Sequence, residues 1–218
     1  MITFDFNKNN TFCISLEKAP ERWHRMTMRF NYFNMEVTQW NASTPNTLTD
    51  VFYDYLNEGQ RSCAQSHINI WRHIVKNGLD YSLILEDDAK FDKNWKIKLT
   101  EIKDIINDDK DWEAIFLNVS EPIYPKDTWI IVQEQYLTGA YILSYNGAKH
   151  LLEMFKDGYG SSDWMTTRLQ TYGHSYSYFP WLVIQEGYES TIGSGYEEDH
   201  KKVIRCLNQV NYPIDEYI

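Results

Sequence analysis

Three consecutive acidic residues follow a short apolar segment near the middle of the chain. Residues 82–85 have the apolar character of a buried strand, and Glu86, Asp87 and Asp88 come directly after them. Two carboxylates about 5 Å apart repel by about 3 kcal/mol at an effective dielectric constant of about 20. A divalent cation with oxygen ligands turns this repulsion into attraction. We therefore predict a metal site at the end of a strand, where α/β sheets bind ligands; the alternative is a solvated acidic turn.

Two arginines follow the first predicted strand, residues 11–16. Pro20 suits the first turn of a helix, and Arg22 and Arg25 lie just inside that helix, on the face opposite its apolar residues together with Arg29. Guanidinium groups match the geometry of phosphate and carboxylate oxygens. The arginines therefore predict an anion site at this strand-to-helix turn, and a solvated helix face is the alternative.

A second candidate anion site is predicted at the start of the next long helix. Ser62 and Gln65 have the spacing of a capping box, and Gly78 suits the end of the helix. Ser66 and His67 would then lie in its first turns, where free amide groups and the helix dipole favour an anion. The alternative for His67 is a histidine at the edge of the buried helix face.

Asp163 follows the small residues Gly160-Ser161-Ser162 at the start of another predicted helix, residues 162–172. A carboxylate at a loop-to-helix junction can serve as a general base. An acid in the first turn of a helix is also common, because it interacts favourably with the helix dipole. Position alone leaves both interpretations open.

Size and charge limit the class of protein. The 218 residues fit one domain with a sizeable core, so we expect a single domain over residues 1–218. The formal net charge of −10 argues against nucleic acid as a partner, because a phosphate footprint needs a basic face.

Cysteine use and hydropathy bear on location. Cys13, Cys63 and Cys206 make neither a disulfide framework nor a zinc-site pattern, which favours a reducing compartment. The first ten residues lack the apolar segment of a signal peptide, and no apolar run approaches the length of a transmembrane segment. We therefore expect a cytoplasmic location, with peripheral contact with a membrane left open.

Strands and helices alternate along the chain, which predicts an α/β sandwich with a partly parallel sheet. Further helices are predicted at residues 47–56, 95–106 and 146–155, and further strands at 112–119, 129–133, 137–144 and 176–184. After Gly187 the composition predicts irregular structure. The absence of a nucleophile elbow, a Walker loop, a Gly-x-Gly-x-x-Gly and a His-Glu-x-x-His motif argues against several enzyme classes.

Taken in order, these features resemble glycosyltransferase family 25, which includes bacterial lipopolysaccharide β-galactosyltransferases and collagen galactosyltransferases. The resemblance extends from about residue 11 to residue 192. The matching segments are Ile14-Ser15-Leu16, Pro20-Glu21-Arg22-Trp23-His24-Arg25-Met26, Cys63-Ala64-Gln65-Ser66-His67 with Trp71, Leu83 to Asp88, Gly139 to Ser144, Gly147 to Leu152, and Asp163-Trp164. The closing Gln and Ser-Asp-Ile of the family are matched only in part, by Gln185 and Ser190-Thr191-Ile192.

The resemblance implies a GT-A fold, a Rossmann-like α/β/α sandwich with a mixed central sheet. It implies transfer of a hexose, galactose or glucose, from a UDP-sugar to a glycan, glycolipid or glycoprotein acceptor, with inversion at the anomeric carbon. It also implies Mn²⁺ (or Mg²⁺) held by Glu86 and Asp88. Asp163 would be the general base, with Glu186 or Glu189 as the next candidates. The residues expected to bind the donor are Leu16, Arg22, Arg25, Ser66, His67, Asp87, Gly139 and Gln185.

Two other functions remain open at this point. A sugar nucleotidyltransferase normally carries a Gly-rich N-terminal loop with basic residues, and residues 11–20 contain no such loop. A catalytically silent glycan-binding domain would account for the 16% aromatic content, but it would not need three clustered acids together with Arg22, Arg25 and His67. The missing Gly-rich loop and the clustered acids therefore both favour the transferase over these two alternatives.

Overall fold

A mixed sheet forms the centre of the computed structural model, which describes residues 4–187 and 196–218. The strands are β1 (Thr11–Ser15), β2 (Thr38–Asn41), β3 (Tyr81–Glu86), β4 (Ala89–Phe91), β5 (Ala114–Phe116), β6 (Trp129–Ile131), β7 (Ala140–Ser144), β8 (Ser175–Tyr178) and β9 (Val183–Gln185). Seven of them lie side by side in the order β2-β1-β3-β7-β5-β8-β6, and β4 pairs with β9 separately. The pairs β1–β2, β1–β3 and β5–β8 are parallel, and the other pairs are antiparallel.

Helices cover both faces of this sheet. They are α1 (Pro20–Tyr32), α2 (Glu58–Asn77), α3 (Trp95–Thr100), α4 (Lys103–Asp108), α5 (Tyr145–Met154), α6 (Ser162–Thr166) and α7 (Tyr196–Gln209). Because successive strand residues point to opposite faces, Leu83 and Leu85 pack with α1, α3 and α4, whereas Ile84 packs with α2, α5 and α7. The predicted α/β fold with a mixed central sheet is confirmed, and it is consistent with a Rossmann-like GT-A architecture.

Parallel pairing of β1 with β3 brings their C-terminal ends to the same edge of the sheet. Ile14 lies opposite Glu86 in the register, so the residues that follow each strand are also neighbours. The three acids at the end of β3 therefore meet the chain that leaves β1 for α1.

The long helix α2 begins five residues earlier than the predicted capping box placed it. Asn57 and Gln60 form the capping box: the Asn57 side chain accepts from the Gln60 amide, and the Gln60 side chain accepts from the Asn57 amide. The Ser62 hydroxyl instead donates to the Glu58 carbonyl inside the helix. The predicted cap at Ser62 is wrong, although the predicted end at Gly78 is confirmed by its left-handed backbone, with φ of 60°.

The predicted helix at residues 47–56 is wrong. The chain forms one 3₁₀ turn at Pro45–Thr47 and then continues irregularly. The amides of Thr49 and Asp50 donate to the Gln65 side chain, at 3.0 and 3.1 Å, so they make tertiary rather than helical hydrogen bonds. Side-chain acceptors on α2 therefore replace the carbonyls that a local helix would have supplied.

Several other predicted elements are divided. The helix at 95–106 separates into α3 and α4 because Glu101 and Ile102 bond to carbonyls three residues back, which tightens the turn. The helix at 162–172 becomes α6 and a 3₁₀ turn at Leu169–Tyr172. The strand at 176–184 becomes β8 and β9, with Pro180 between them, since proline has no amide for a sheet. The prediction of irregular structure after Gly187 is wrong for Tyr196–Gln209, which forms helix α7.

Within the described ranges, each helix is too short or too polar to cross a bilayer.

The position of the α2 cap predicts different effects for two alanine substitutions. Asn57→Ala should lower the free energy of unfolding by about 1 kcal/mol, because it removes the acceptor for a first-turn amide. Ser62→Ala should cost less, because this position lies inside the helix, where alanine has the higher propensity. Urea unfolding followed by circular dichroism measures both values. A larger loss for Ser62→Ala would place the helix start where the sequence pattern predicted it.

Candidate functional site

The three acids at the end of β3 lie at the centre of a polar cluster. The Ser15 hydroxyl, at the end of β1, donates to Asp87 Oδ2 at 2.8 Å. The backbone amide of Glu86 donates to the Gly139 carbonyl at 2.9 Å, which fixes the end of β3 against the loop before β7. Asp87 and Asp88 are each 7% exposed, so their charges need partners within the protein.

Arg22 supplies the nearest positive charge. One of its terminal nitrogens, Nη2, lies 2.7 Å from Asp87 Oδ1 and 3.4 Å from Asp88 Oδ2. The Arg22 Nε atom is buried and has no hydrogen-bond partner among residues 4–187 and 196–218. One guanidinium group thus faces two carboxylates and still has a donor to offer a ligand.

The pKa values reflect the crowding of these acids. Burial, reinforced by the neighbouring Glu86 carboxylate, raises the pKa of Asp88 to about 7 against the opposing effect of Arg22. Burial also raises the pKa of Asp87, although Arg22 and Ser15 oppose it. The pKa of Glu86 is lowered: burial would raise it, but hydrogen bonds and the charge of nearby groups, His67 first among them, outweigh that cost. The cluster is therefore short of positive charge at Asp88.

His67 contacts the cluster from inside α2. It is fully buried, and its Nε2 lies 3.3 Å from Glu86 Oε1, while its Nδ1 lies 2.9 Å from the Tyr141 hydroxyl. The Trp71 indole can only donate, and it donates to the same hydroxyl at 2.9 Å. Because the Glu86 carboxylate can only accept, the ring donates from Nε2 to Glu86.

The predicted anion site at a helix start is wrong for Ser66 and His67. Both residues lie in the third turn of α2, where backbone amides are bonded within the helix. The Ser66 hydroxyl donates to the Ser62 carbonyl and accepts from the Ser43 amide, both at 2.8 Å. Glu58 and Gly59, at the true start of α2, line the adjacent cavity instead.

Two cavities flank the acids. The first, of about 300 Å³, contains five of the predicted residues and the basic Lys18. The second, of about 240 Å³, lies between β9, α6 and α7 and contains Asp163 and Gln185. The predicted residues of the first cavity are Leu16, Arg22, Ser66, Glu86 and Asp87.

Polar residues connect the two cavities. The Thr138 hydroxyl lies 3.2 Å from Glu86 Oε1 and 3.0 Å from the Ser162 hydroxyl, next to Asp163. On the same side, Gln185 forms a hydrogen bond with Asp88. A Cβ at Gly139 would lie only 3.2 Å from the Gln185 side chain, so glycine there permits this close packing.

Asp163 lies in the first turn of α6, and it is half-buried. Its Oδ1 accepts from the Trp164 amide at 2.8 Å, and the residue lines the second cavity, not the first. Both sequence-based interpretations remain available: the carboxylate lies in the first turn of a helix, and it also faces a space large enough for a ligand.

Arg25 and Arg29 meet at Glu186 and not at the first cavity. Arg25 Nε lies 3.2 Å from one Glu186 oxygen, and Arg29 pairs with the other. The sequence places Arg29 on the polar face of the helix, but in the structure this residue is buried. Its guanidinium group also donates to the Ala89 carbonyl at 3.1 Å. The Glu186 side chain is only 4% exposed, and both of its oxygens are paired with guanidinium groups. This arrangement does not favour Glu186 as the base for a substrate hydroxyl. Glu189 and Ser190-Thr191-Ile192 lie outside the described residues.

Sequence reasoning missed several contributors to the cluster. Ser15 could have been found from the parallel pairing of the first strand with β3, which places it beside Asp87. Thr138 and Tyr141 carry no local signal, because their contacts with Glu86 and His67 join residues more than 50 positions apart.

Comparisons with known proteins fit this geometry. The sequence profile of glycosyltransferase family 25 (LPS biosynthesis protein) matches residues 8–166, nearly three quarters of the chain. This chain belongs to glycosyltransferase family 25. The matched range includes β1, α1, α2, the acids after β3 and Asp163, and it ends before Gln185, Glu186 and α7.

Individual relatives in the family differ in what their names state. A Bos taurus protein named "Probable inactive glycosyltransferase 25 family member 3" is 28% identical over 172 residues, covering 66% of this chain and 28% of the relative. The Xenopus laevis "Procollagen galactosyltransferase 1-B" is 34% identical over 106 residues, covering 44% of this chain and 17% of the relative. The chain thus spans less than a third of the length of these curated relatives.

The raised pKa of Asp88 predicts a pH-dependent effect of Asp88→Asn. The folded state retains on Asp88 a proton that the unfolded state releases near its ordinary pKa of 3.8. The carboxyl group therefore contributes stability at low pH that is lost as pH rises to about 7. Since Asn stays neutral, the Tm of the variant minus that of the wild type should grow between about pH 4 and 7, by on the order of 5 °C, and then level off.

Thermal unfolding in a chelating buffer measures this difference. Asp111→Asn, which changes an exposed acid far along the chain, is the matched control and should show a smaller, flatter difference. A Tm difference for Asp88→Asn that does not vary with pH would contradict the account of the cluster.

Proposed function

We propose that this chain is a metal-dependent, inverting glycosyltransferase that moves a hexose from a UDP-sugar to a hydroxyl group of a glycan, glycolipid or glycoprotein. Family membership supports the transferase class. The observation that carries the proposed metal and donor is the cluster of Glu86, Asp87 and Asp88. Glu86 and Asp87 line a cavity together with Arg22, whose Nε donor is unused.

The chemistry of the cluster fits a hard divalent cation. Its donors are carboxylate oxygens, the ligands that Mg²⁺ and Mn²⁺ prefer. The raised pKa of Asp88 also indicates a deficit of positive charge that a cation would correct. Glu86 and Asp88 would hold the ion. When bound, it would stabilise the negative charge that develops on the departing diphosphate.

The first cavity suits the nucleotide part of the donor. Arg22 would donate from Nε to a phosphate oxygen while its Nη2 holds Asp87 in place. Lys18 adds a second positive charge, and the first turn of α2, at Glu58 and Gly59, adds backbone amides and the positive end of the helix dipole. Leu16 and Ser66 complete the wall as an apolar and a polar contact.

The second cavity suits the acceptor. An inverting transfer needs a base on the side opposite the leaving group, and Asp163 lines this cavity, whereas the proposed nucleotide residues line the first. Asp163 would take the proton of the acceptor hydroxyl on its carboxylate as the new glycosidic bond forms. Gln185, bonded to Asp88, would link the acceptor side to the donor side.

The relatives named inactive favour one alternative, a domain that binds a nucleotide sugar or a glycan without transferring it. Turnover separates the two functions: a transferase with Mn²⁺ releases UDP from a UDP-sugar, slowly to water and faster to an acceptor, whereas a binding domain does not.

Metal-dependent donor binding tests the proposal at its centre. Calorimetric titration of UDP should show binding with Mn²⁺ and little with a chelator. Asp88→Asn should abolish the Mn²⁺-dependent part, because it removes a metal ligand, while Asp111→Asn should leave it unchanged. Wild-type UDP affinity in the folded Asp88→Asn protein would overturn the metal assignment.

The role of Asp163 predicts a separation of binding from catalysis. Asp163→Asn should keep the affinity for UDP and Mn²⁺ but lower kcat for sugar transfer by about 10²–10⁴-fold, the range for lost general-base catalysis. The fold should survive, because asparagine is accepted at helix starts nearly as well as aspartate. Near-normal transfer by this variant would remove Asp163 from the mechanism, and loss of UDP binding would assign it to the donor side.

A further inference from the structure

A thiol, an imidazole and a carboxylate converge beside the acidic cluster. One ligand atom from each of Cys63, His67 and Glu86 lies within 4.8 Å of the other two. Cys63 and His67 are four residues apart on α2, so they share one helix face, and Glu86 approaches them from the end of β3. We propose that these three side chains form a binding site for a soft divalent cation of the Zn²⁺ class, separate in chemistry from the hard-ion site proposed at Glu86 and Asp88.

The donor types select this class of ion. Thiolate and imidazole are preferred by Zn²⁺ and Co²⁺, whereas Mn²⁺ and Mg²⁺ prefer oxygen. Three protein ligands also leave a fourth tetrahedral position for water or a ligand, the arrangement of open zinc sites. Cys63 and Glu86 both line the first cavity, so an ion has a route from solvent.

The imidazole ring is already held for coordination through Nε2. Tyr141 contacts Nδ1, and Trp71 holds the Tyr141 hydroxyl, so the ring cannot turn freely. Metal-binding histidines are commonly fixed in this way by a partner on the other nitrogen. Coordination requires the lone pair of Nε2, and a hydrogen on Nδ1 is then donated to the Tyr141 oxygen, which can accept from both the ring and Trp71.

The thiol has to lose its proton to solvent when the ion binds. Burial and the nearby Glu86 charge raise the pKa of Cys63. A divalent cation supplies the positive charge that stabilises the thiolate in the same place, as metals do for coordinating cysteines. The Ser162 hydroxyl lies 3.6 Å from the sulfur and adds a weak polar contact.

Glu86 belongs to both sites, which gives the soft ion a regulatory consequence that rests on the proposed function. A carboxylate engaged by Zn²⁺ with Cys63 and His67 is less available to the hard ion. Zn²⁺ should therefore weaken Mn²⁺-dependent UDP binding in the wild type, and this effect should be lost in Cys63→Ser.

Cobalt spectroscopy tests the site without reference to transferase activity. Co²⁺ added to the metal-free, reduced full chain should give a thiolate-to-cobalt charge-transfer band that saturates at one ion per chain, and Zn²⁺ should remove it, because Zn²⁺ binds such sites more tightly than Co²⁺. Cys63→Ser should abolish the band, and His67→Gln should weaken Co²⁺ affinity at least tenfold.

Cys206→Ser is the matched control, because Cys206 is buried on α7 and should not contribute. Circular dichroism establishes that each variant is folded, and Cys63→Ser alone decides the question if His67→Gln does not fold. Absence of the band in the wild type at millimolar Co²⁺, or a band that persists in Cys63→Ser and disappears in Cys206→Ser, would overturn the proposal. Loss of Mn²⁺-dependent UDP binding altogether would affect only the proposed function.

Discussion

Three carboxylates clustered at one strand end, two of them buried and one half-buried, impose a condition that much of the surrounding structure meets. Charges removed from water are costly unless opposite charges or hydrogen-bond donors replace the solvent. Arg22 faces Asp87 and Asp88, Ser15 donates to Asp87, and the His67 ring donates to Glu86. These partners come from β1, α1 and α2, which the parallel sheet brings to one edge. The negative charge of Asp88 is not fully compensated, because its pKa stays raised in spite of Arg22. A site that binds a cation needs such an excess of negative charge before the ion binds.

The same cluster lies near two cavities, to which we assign the two proposed substrates. The cavity of about 300 Å³ is lined by Lys18 and Arg22, and the cavity of about 240 Å³ is lined by Asp163, Gln185 and Lys202. Thr138 and Ser162 form a short hydrogen-bonded bridge between the acids and the helix that carries Asp163. A second group of ion pairs, Glu186 with Arg25 and Arg29, fixes the chain after β9 to α1.

Local sequence was enough to predict the fold class and the parts of the site that have short-range patterns. The apolar run before the acids, the proline at the start of α1 and the glycine after α2 each act within a few residues, and each has its expected structure. The predicted start of α2 is wrong because two capping patterns occur within nine residues, and the Ser62 hydroxyl bonds inside the helix that Asn57 caps. The partners of His67 and Arg29 could not be predicted, since a contact with Tyr141 or Glu186 depends on how distant strands pair.

Whether the acids hold a metal against a diphosphate is the central claim, and anomalous diffraction tests it most directly. Crystals grown with Mn²⁺ and UDP, measured on either side of the manganese absorption edge, locate the ion independently of any assumption about the protein. The account predicts one strong anomalous peak bounded by Glu86 and Asp88, with the diphosphate in the first cavity next to Arg22. UDP bound in the second cavity, or a manganese peak away from these carboxylates with UDP present, would contradict it.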